Sequence, residues 1–221
     1  MNNYIKNLLL AVMVLAVTSC TDILEPTPYS FTSPENFYNS AKDAEIALIG
    51  VYNTLTAGSI QGAGNASSFR RDLHEMLAMG TDEGVIPATF ANRRATQFGI
   101  ASFTSQDPMI NDAWFFLYAG ISRANSLLEN LENIPNSEFA GTRKVEIEAE
   151  AKLLRGFFHM MLSMMHGAIP VYTKFDADQT LGRQSVQEVY KQIIEDYEIA
   201  YANLKNRGPR ASAVNKWTAA G

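Results

Sequence analysis

Several groups of residues in this chain have the types that chemistry needs. Arg71-Asp72-Leu73-His74-Glu75 sets a histidine beside a glutamate. A zinc-protease helix repeats the histidine four residues on, and that position is Ala78. The segment therefore reads as a solvated helix face. His159 and His166 lie seven apart, two turns along one helix, so their rings can approach. No carboxylate at matching spacing completes a zinc set, and a structural role is expected. Asp82 and Glu83 are paired carboxylates in a loop. Neighbours in sequence do not face one glycosidic bond from two sides, as hydrolysis of that bond requires. Gly62-Ala63-Gly64 lacks the Lys-Ser/Thr that would complete a phosphate loop. No catalytic residue, metal or cofactor is expected.

Two polar residues fall among apolar ones. Asn125 lies on the apolar stripe Trp114, Leu117, Tyr118, Ile121, Leu128, Leu131, so its amide must find partners in a neighbouring backbone or helix end. Arg155 is expected to bridge a carboxylate such as Glu150 or Glu148, or helix-end carbonyls.

Helices must position these groups. Ser40 and Asp43 form a capping box ahead of a helix over 41–55, with Ala44, Leu48, Val51 and Leu55 on one face. Asp107-Pro108 opens the helix that carries Asn125. A third helix runs from about Thr142 to His166. It has two apolar stripes, Ile147 to Met165 and Leu153 to Met164, and a third face of Glu148, Lys152, Arg155 and His159. Met160, Met161, Met164 and Met165 read as malleable core. Ser185 and Glu188 cap a helix over 186–204, and Val214–Gly221 begins another. Residues 57–110 contain a short helix near 70–79 and are otherwise irregular, glycine-rich first and aromatic later. The fold class is mostly α, and helix-pair spacing of roughly 34–40 residues suggests tetratricopeptide-like stacking.

Cys20 is the one cysteine of the 221 residues. It follows Lys6, an apolar run from Leu8 to Val17, and Thr18-Ser19. That run is about half the ~20 residues needed to span a bilayer, so 1–19 reads as a signal segment. Small residues before a cysteine are what a lipoprotein signal peptidase requires, and acylation of Cys20 is expected. Residues 20–32, with Pro26 and Pro28, read as a lipidated tether to a body over 33–221. The net charge is −5, and loss of Lys6 makes the remainder one unit more negative. With no basic stripe, nucleic acid is excluded as a partner.

Several segments in order resemble the SusD/RagB family of outer-membrane nutrient-binding lipoproteins. They are Cys20 and its tether, Phe37-Tyr38, Asp43-Ala44 and Gly50-Val51-Tyr52. Then follow Trp114, Tyr118, Ile121 and Asn125, and Glu150-Ala151-Lys152-Leu153-Leu154-Arg155. His166-Gly167-Ala168-Ile169-Pro170-Val171 and Arg183, Ser185, Val189-Tyr190, Ile194 and Asp196 complete the set. His166 stands where the family has tyrosine. The resemblance implies a tetratricopeptide-type scaffold and capture of nutrient oligomers, most often glycans, at the cell surface. It also implies anchoring in the outer membrane and a SusC-type TonB-dependent transporter as partner. Family members are longer, so the chain is expected to be the N-terminal part of a longer protein. Helix 186–204 is then expected to show an exposed apolar edge, and Trp217 to lack packing partners.

Within this frame the 81–98 loop carries the side chains that suit a sugar. Flat aromatic rings meet C–H faces, and amides, carboxylates and guanidinium groups meet hydroxyls. The candidate contacts are Asp82, Glu83, Phe90, Asn92, Arg93 and Phe98, with Arg94 and Gln97 beside them. The competing readings are a lipid-anchored glycoside hydrolase and a structural helical-repeat adaptor.

Overall fold

The structure is a computed structural model that describes residues 37–56, 74–78, 81, 82, 84, 103–178 and 180–220. The chain divides into two compact units, 1–37 and 38–221. The described helices all lie in the second.

Its helices are α1 (Ala41–Asn53), α2 (His74–Ala78), α3 (Pro108–Leu131), α4 (Arg143–His166), α5 (Val186–Asn203) and α6 (Lys216–Ala220), with a 3-10 turn at Asn136–Glu138. There is no strand among the described residues; Ile169 and Gln184 form an isolated antiparallel bridge. Both expected capping boxes are present. Ser40 accepts from the Asp43 N–H while the Asp43 side chain accepts from the Ser40 N–H, and Ser185 and Glu188 do the same. Asp107 caps α3 by accepting from the Met109 N–H at 2.9 Å, with Pro108 at the first helical position. Gly167, at φ 69°, ends α4 in a conformation that disfavours other residues.

α4 is the central helix, packed against α3, α5 and α1. Gly120 of α3 lies against the Phe158 ring, and Gly156 of α4 against Tyr197 of α5. At both points the missing side chain lets two helices close. Residues 120, 125 and 134 of α3 and its end meet 158, 155 and 144, while 156 and 146 meet 197 and 205. The pairs α3–α4 and α4–α5 are therefore antiparallel. Leu48, Leu117, Ile121, Leu127, Ile147, Phe158, Leu162 and Ile169 form the buried centre. Each such side chain contributes roughly 1.5–3 kcal/mol on leaving water.

Two expectations for α4 are corrected. Arg155 and His159, which share a face with Glu148 and Lys152, are both buried, because α3 and α5 close over that part of it. Glu150 is not the partner of Arg155. Five residues apart on a helix is about 140° around it, so the two point to different neighbours. Glu150 instead receives bonds from Tyr52 Oη at 2.6 Å and Arg143 at 2.7 Å, in a cluster that joins α1 to α4 and takes in Glu45 and Arg210. Glu148 pairs with Lys152 at 2.8 Å. Met164 is exposed, whereas Met161 is buried and Met160 and Met165 half-buried, so the methionine cluster is core on one side only. The apolar edge expected on helix 186–204 is there: Val186, Tyr190, Ile194 and Tyr201 are exposed, as is Trp217 of α6.

Candidate ligand cleft

The cleft grows out of a buried network. Arg155 donates from Nε and Nη2 to both carboxylate oxygens of Asp196, at 2.9 and 2.6 Å. Its Nη1 donates to Asn125 Oδ1 at 2.9 Å and to the Thr173 carbonyl at 3.3 Å. Asn125 Nδ2 donates onward to the carbonyls of Tyr172 and Lys174, at 3.0 and 3.2 Å. Three consecutive carbonyls of an otherwise irregular segment are thus held from two helices, α3 and α4, while Asp196 of α5 braces Arg155 from behind. This is the backbone partner that the position of Asn125 predicts. Further bonds fix the segment's ends. Tyr118 Oη donates to the Pro170 carbonyl at 2.8 Å, and the Phe175 N–H donates to Glu129 at 2.8 Å.

Between this segment and the first half of α3 opens a cleft of about 430 Å³. That lies within the ~300–1,000 Å³ typical of small-molecule sites. Trp114, Phe115 and Tyr118 form one wall, Tyr172, Lys174 and Phe175 the other, with Ile121, Ser122 and Asn125 between. Trp114 and Tyr118 pack at 4.8 Å between centroids, and Tyr118 meets Tyr172 edge-on at 5.5 Å. These contacts hold the inner rings rigid. Phe115 and Phe175 at the mouth are 58% and 54% exposed. No carboxylate is among the lining residues. The arrangement can stack flat apolar faces and offer hydroxyl and ammonium groups.

Behind Trp114 stands His166, edge-on to the indole at 4.9 Å with its Nε2 buried and unpartnered. Burial, then the charge of Arg183, holds it below its ordinary pKa, so the ring is neutral. Burial also raises the Tyr118 hydroxyl, aided by Tyr172 and opposed by Arg183. His159 faces the core, away from His166 in its surroundings, and no metal-binding group occurs among the described residues.

Of the loop residues expected to touch ligand, Asp82 is described and is exposed. Glu83, Phe90, Asn92, Arg93 and Phe98 lie outside the described residues, as does Cys20. Sequence reasoning missed Phe115, Lys174 and Phe175. Phe115 carried a signal: it sits off the apolar stripe of α3, where burial does not explain a phenylalanine.

Fold and cleft together define an all-helical scaffold with an open aromatic site. The chain belongs to the SusD-like family described as "starch-binding associating with outer membrane", whose model matches residues 69–221. It is 25% identical to SusD-like protein P25 of Formosa agariphila, over 98% of this chain and 41% of that protein. A SusD homologue from Bacteroides thetaiotaomicron superposes with TM-score 0.69 at 25% identity, covering 86% of this chain and 36% of the other. A laminarin-binding SusD-like protein shares the fold, at TM-score 0.68 and 22% identity over 82% of this chain and 38% of its own. The chain thus spans about two fifths of the length of the relatives it matches.

Proposed function

We propose that this chain captures nutrient glycans at the cell surface and belongs to a system that passes them to a TonB-dependent outer-membrane transporter. The observation that carries the reading is an open cleft walled by exposed phenylalanine rings in a member of the SusD-like family. The family's description names starch, and one structural neighbour is described as laminarin-binding. Both are polysaccharides, and that class is the one proposed here. Residues 1–19 act as signal, acylated Cys20 anchors the protein in the outer membrane, and 20–32 form the tether. Asp82, Glu83, Phe90, Asn92, Arg93 and Phe98 supply contacts beside those of the cleft.

Binding of a panel of polysaccharide oligomers, measured by calorimetry, tests the reading. Phe175→Ala should lower affinity by ~0.5–1.5 kcal/mol, in line with the energy of aromatic contacts. Its melting temperature should barely change, because the ring is exposed. Wild-type protein that is folded and binds no glycan would remove the basis of the proposal.

A further inference from the structure

The charge around the cleft narrows the ligand class, given the glycan-binding reading on which this step rests. The chain as a whole is acidic, yet the charged side chain lining the cleft is Lys174. Arg183 is within electrostatic reach of Tyr118 and His166, which sets a second cation toward the start of α3, outside the cleft lining. Both are exposed, and neither forms an ion pair among the described residues. The nearby carboxylates make local bonds and none of them lines the cleft. Glu129 accepts the Phe175 N–H, and Asp178 accepts the N–H and hydroxyl of Thr180 at 2.8 and 2.7 Å. Asp176 is exposed beside Phe175. On its other side Lys174 borders a groove lined by Glu129, Glu132, Glu148 and Glu195, none of which pairs with it, and by Lys152 and Arg155, whose charges are taken up by Glu148 and Asp196. An anion is repelled from that groove and attracted on the aromatic side.

We propose that the cleft selects an acidic saccharide, one bearing a carboxylate or a sulfate ester. Its ring lies against Phe175 and Phe115, and its anionic group meets Lys174. A neutral sugar can use the rings but leaves the cations without a counter-charge. A charge-assisted bond is roughly twice as strong as a neutral one.

The test compares four probes by calorimetry on the full chain. They are galacturonic-acid oligomers, sulfated galactose oligomers, maltooligosaccharides and laminarioligosaccharides. At low salt at least one acidic probe should bind about tenfold tighter than either neutral one, the size expected for one bond to a charged group. The uronate and sulfate arms tell which anion is preferred. Raising the salt should erode the advantage, since the site is open to solvent. The double variant K174Q/R183Q should bring the acidic-to-neutral affinity ratio close to one. Equal or tighter binding of neutral probes overturns the inference and leaves the glycan reading intact, as does a preference that survives the double variant. Binding of no probe overturns both.

Discussion

Removing the charge of Asp196 should destabilise the protein strongly. Asp196 and Arg155 are 1% and 6% exposed, and their two bonds are 2.9 and 2.6 Å long. Asp196→Ala leaves a buried guanidinium with neutral acceptors alone, Asn125 Oδ1 and the Thr173 carbonyl. Breaking a buried pair from one side costs about 3–5 kcal/mol, because the remaining charge stays out of water. For a chain of this size that lowers the melting temperature by roughly 6–20 °C. Asp196→Asn separates charge from shape, since it keeps the volume and one acceptor. Glu148→Ala is the control: its pair with Lys152 has a 43% exposed carboxylate, and pairs of that kind are worth ~0–1 kcal/mol. Thermal melts followed by circular dichroism compare the three. If Asp196→Asn melts within about 2 °C of wild type, the desolvated charge is not what makes this network matter. Because the same guanidinium holds Asn125 and Thr173, both Asp196 variants should also weaken glycan binding per folded molecule.

Three other outcomes are expected. His159 has a pKa depressed to about 3 by burial and then by Arg155, so below its ordinary 6.5 the unfolded chain takes a proton that the native one refuses. Stability should therefore fall as pH drops from 6.5 toward 3, at up to ~1.4 kcal/mol per pH unit from this group, and His159→Leu should flatten that part of a melting-versus-pH series. Gly120→Ala would set a Cβ 2.6 Å from the ring of fully buried Phe158, so it should cost about 1–3 kcal/mol in chemical denaturation despite a helix-propensity gain of ~1 kcal/mol. Cys20→Ala should leave an uncleaved precursor or a soluble protein on membrane fractionation, whereas wild-type protein with an unmodified thiol would exclude the anchor.

What could be read in the sequence is what a residue does within one turn of its own helix. Ser40 with Asp43, Ser185 with Glu188, and Asp107 ahead of Pro108 announce helix starts because the bonds they make close over two or three residues. The apolar stripes of α3 and α4 follow from the same local periodicity. Arg155 shows where this ends. Its partner lies 41 residues away on α5, and no spacing within α4 points there. The nearest carboxylates in sequence were the natural expectation, yet one lies around the helix and the other pairs with Lys152.

The cleft was hidden for a related reason. Asn125 gave the one long-range signal, since an amide on an apolar stripe has to be satisfied by something outside its helix. What it satisfies, the carbonyls of Tyr172 and Lys174, belongs to a segment without periodicity, whose path is set by two helices at once. That path determines where Lys174 and Phe175 emerge. The side chains that give the cleft its chemistry are thus placed by buried groups whose own polar atoms are taken up in holding the backbone. A change at Asn125 or Arg155 should therefore alter binding and stability together, while one at Phe175 or Lys174 should alter binding alone. Measuring affinity and melting temperature on the same four single variants separates the scaffold of the site from its contact surface.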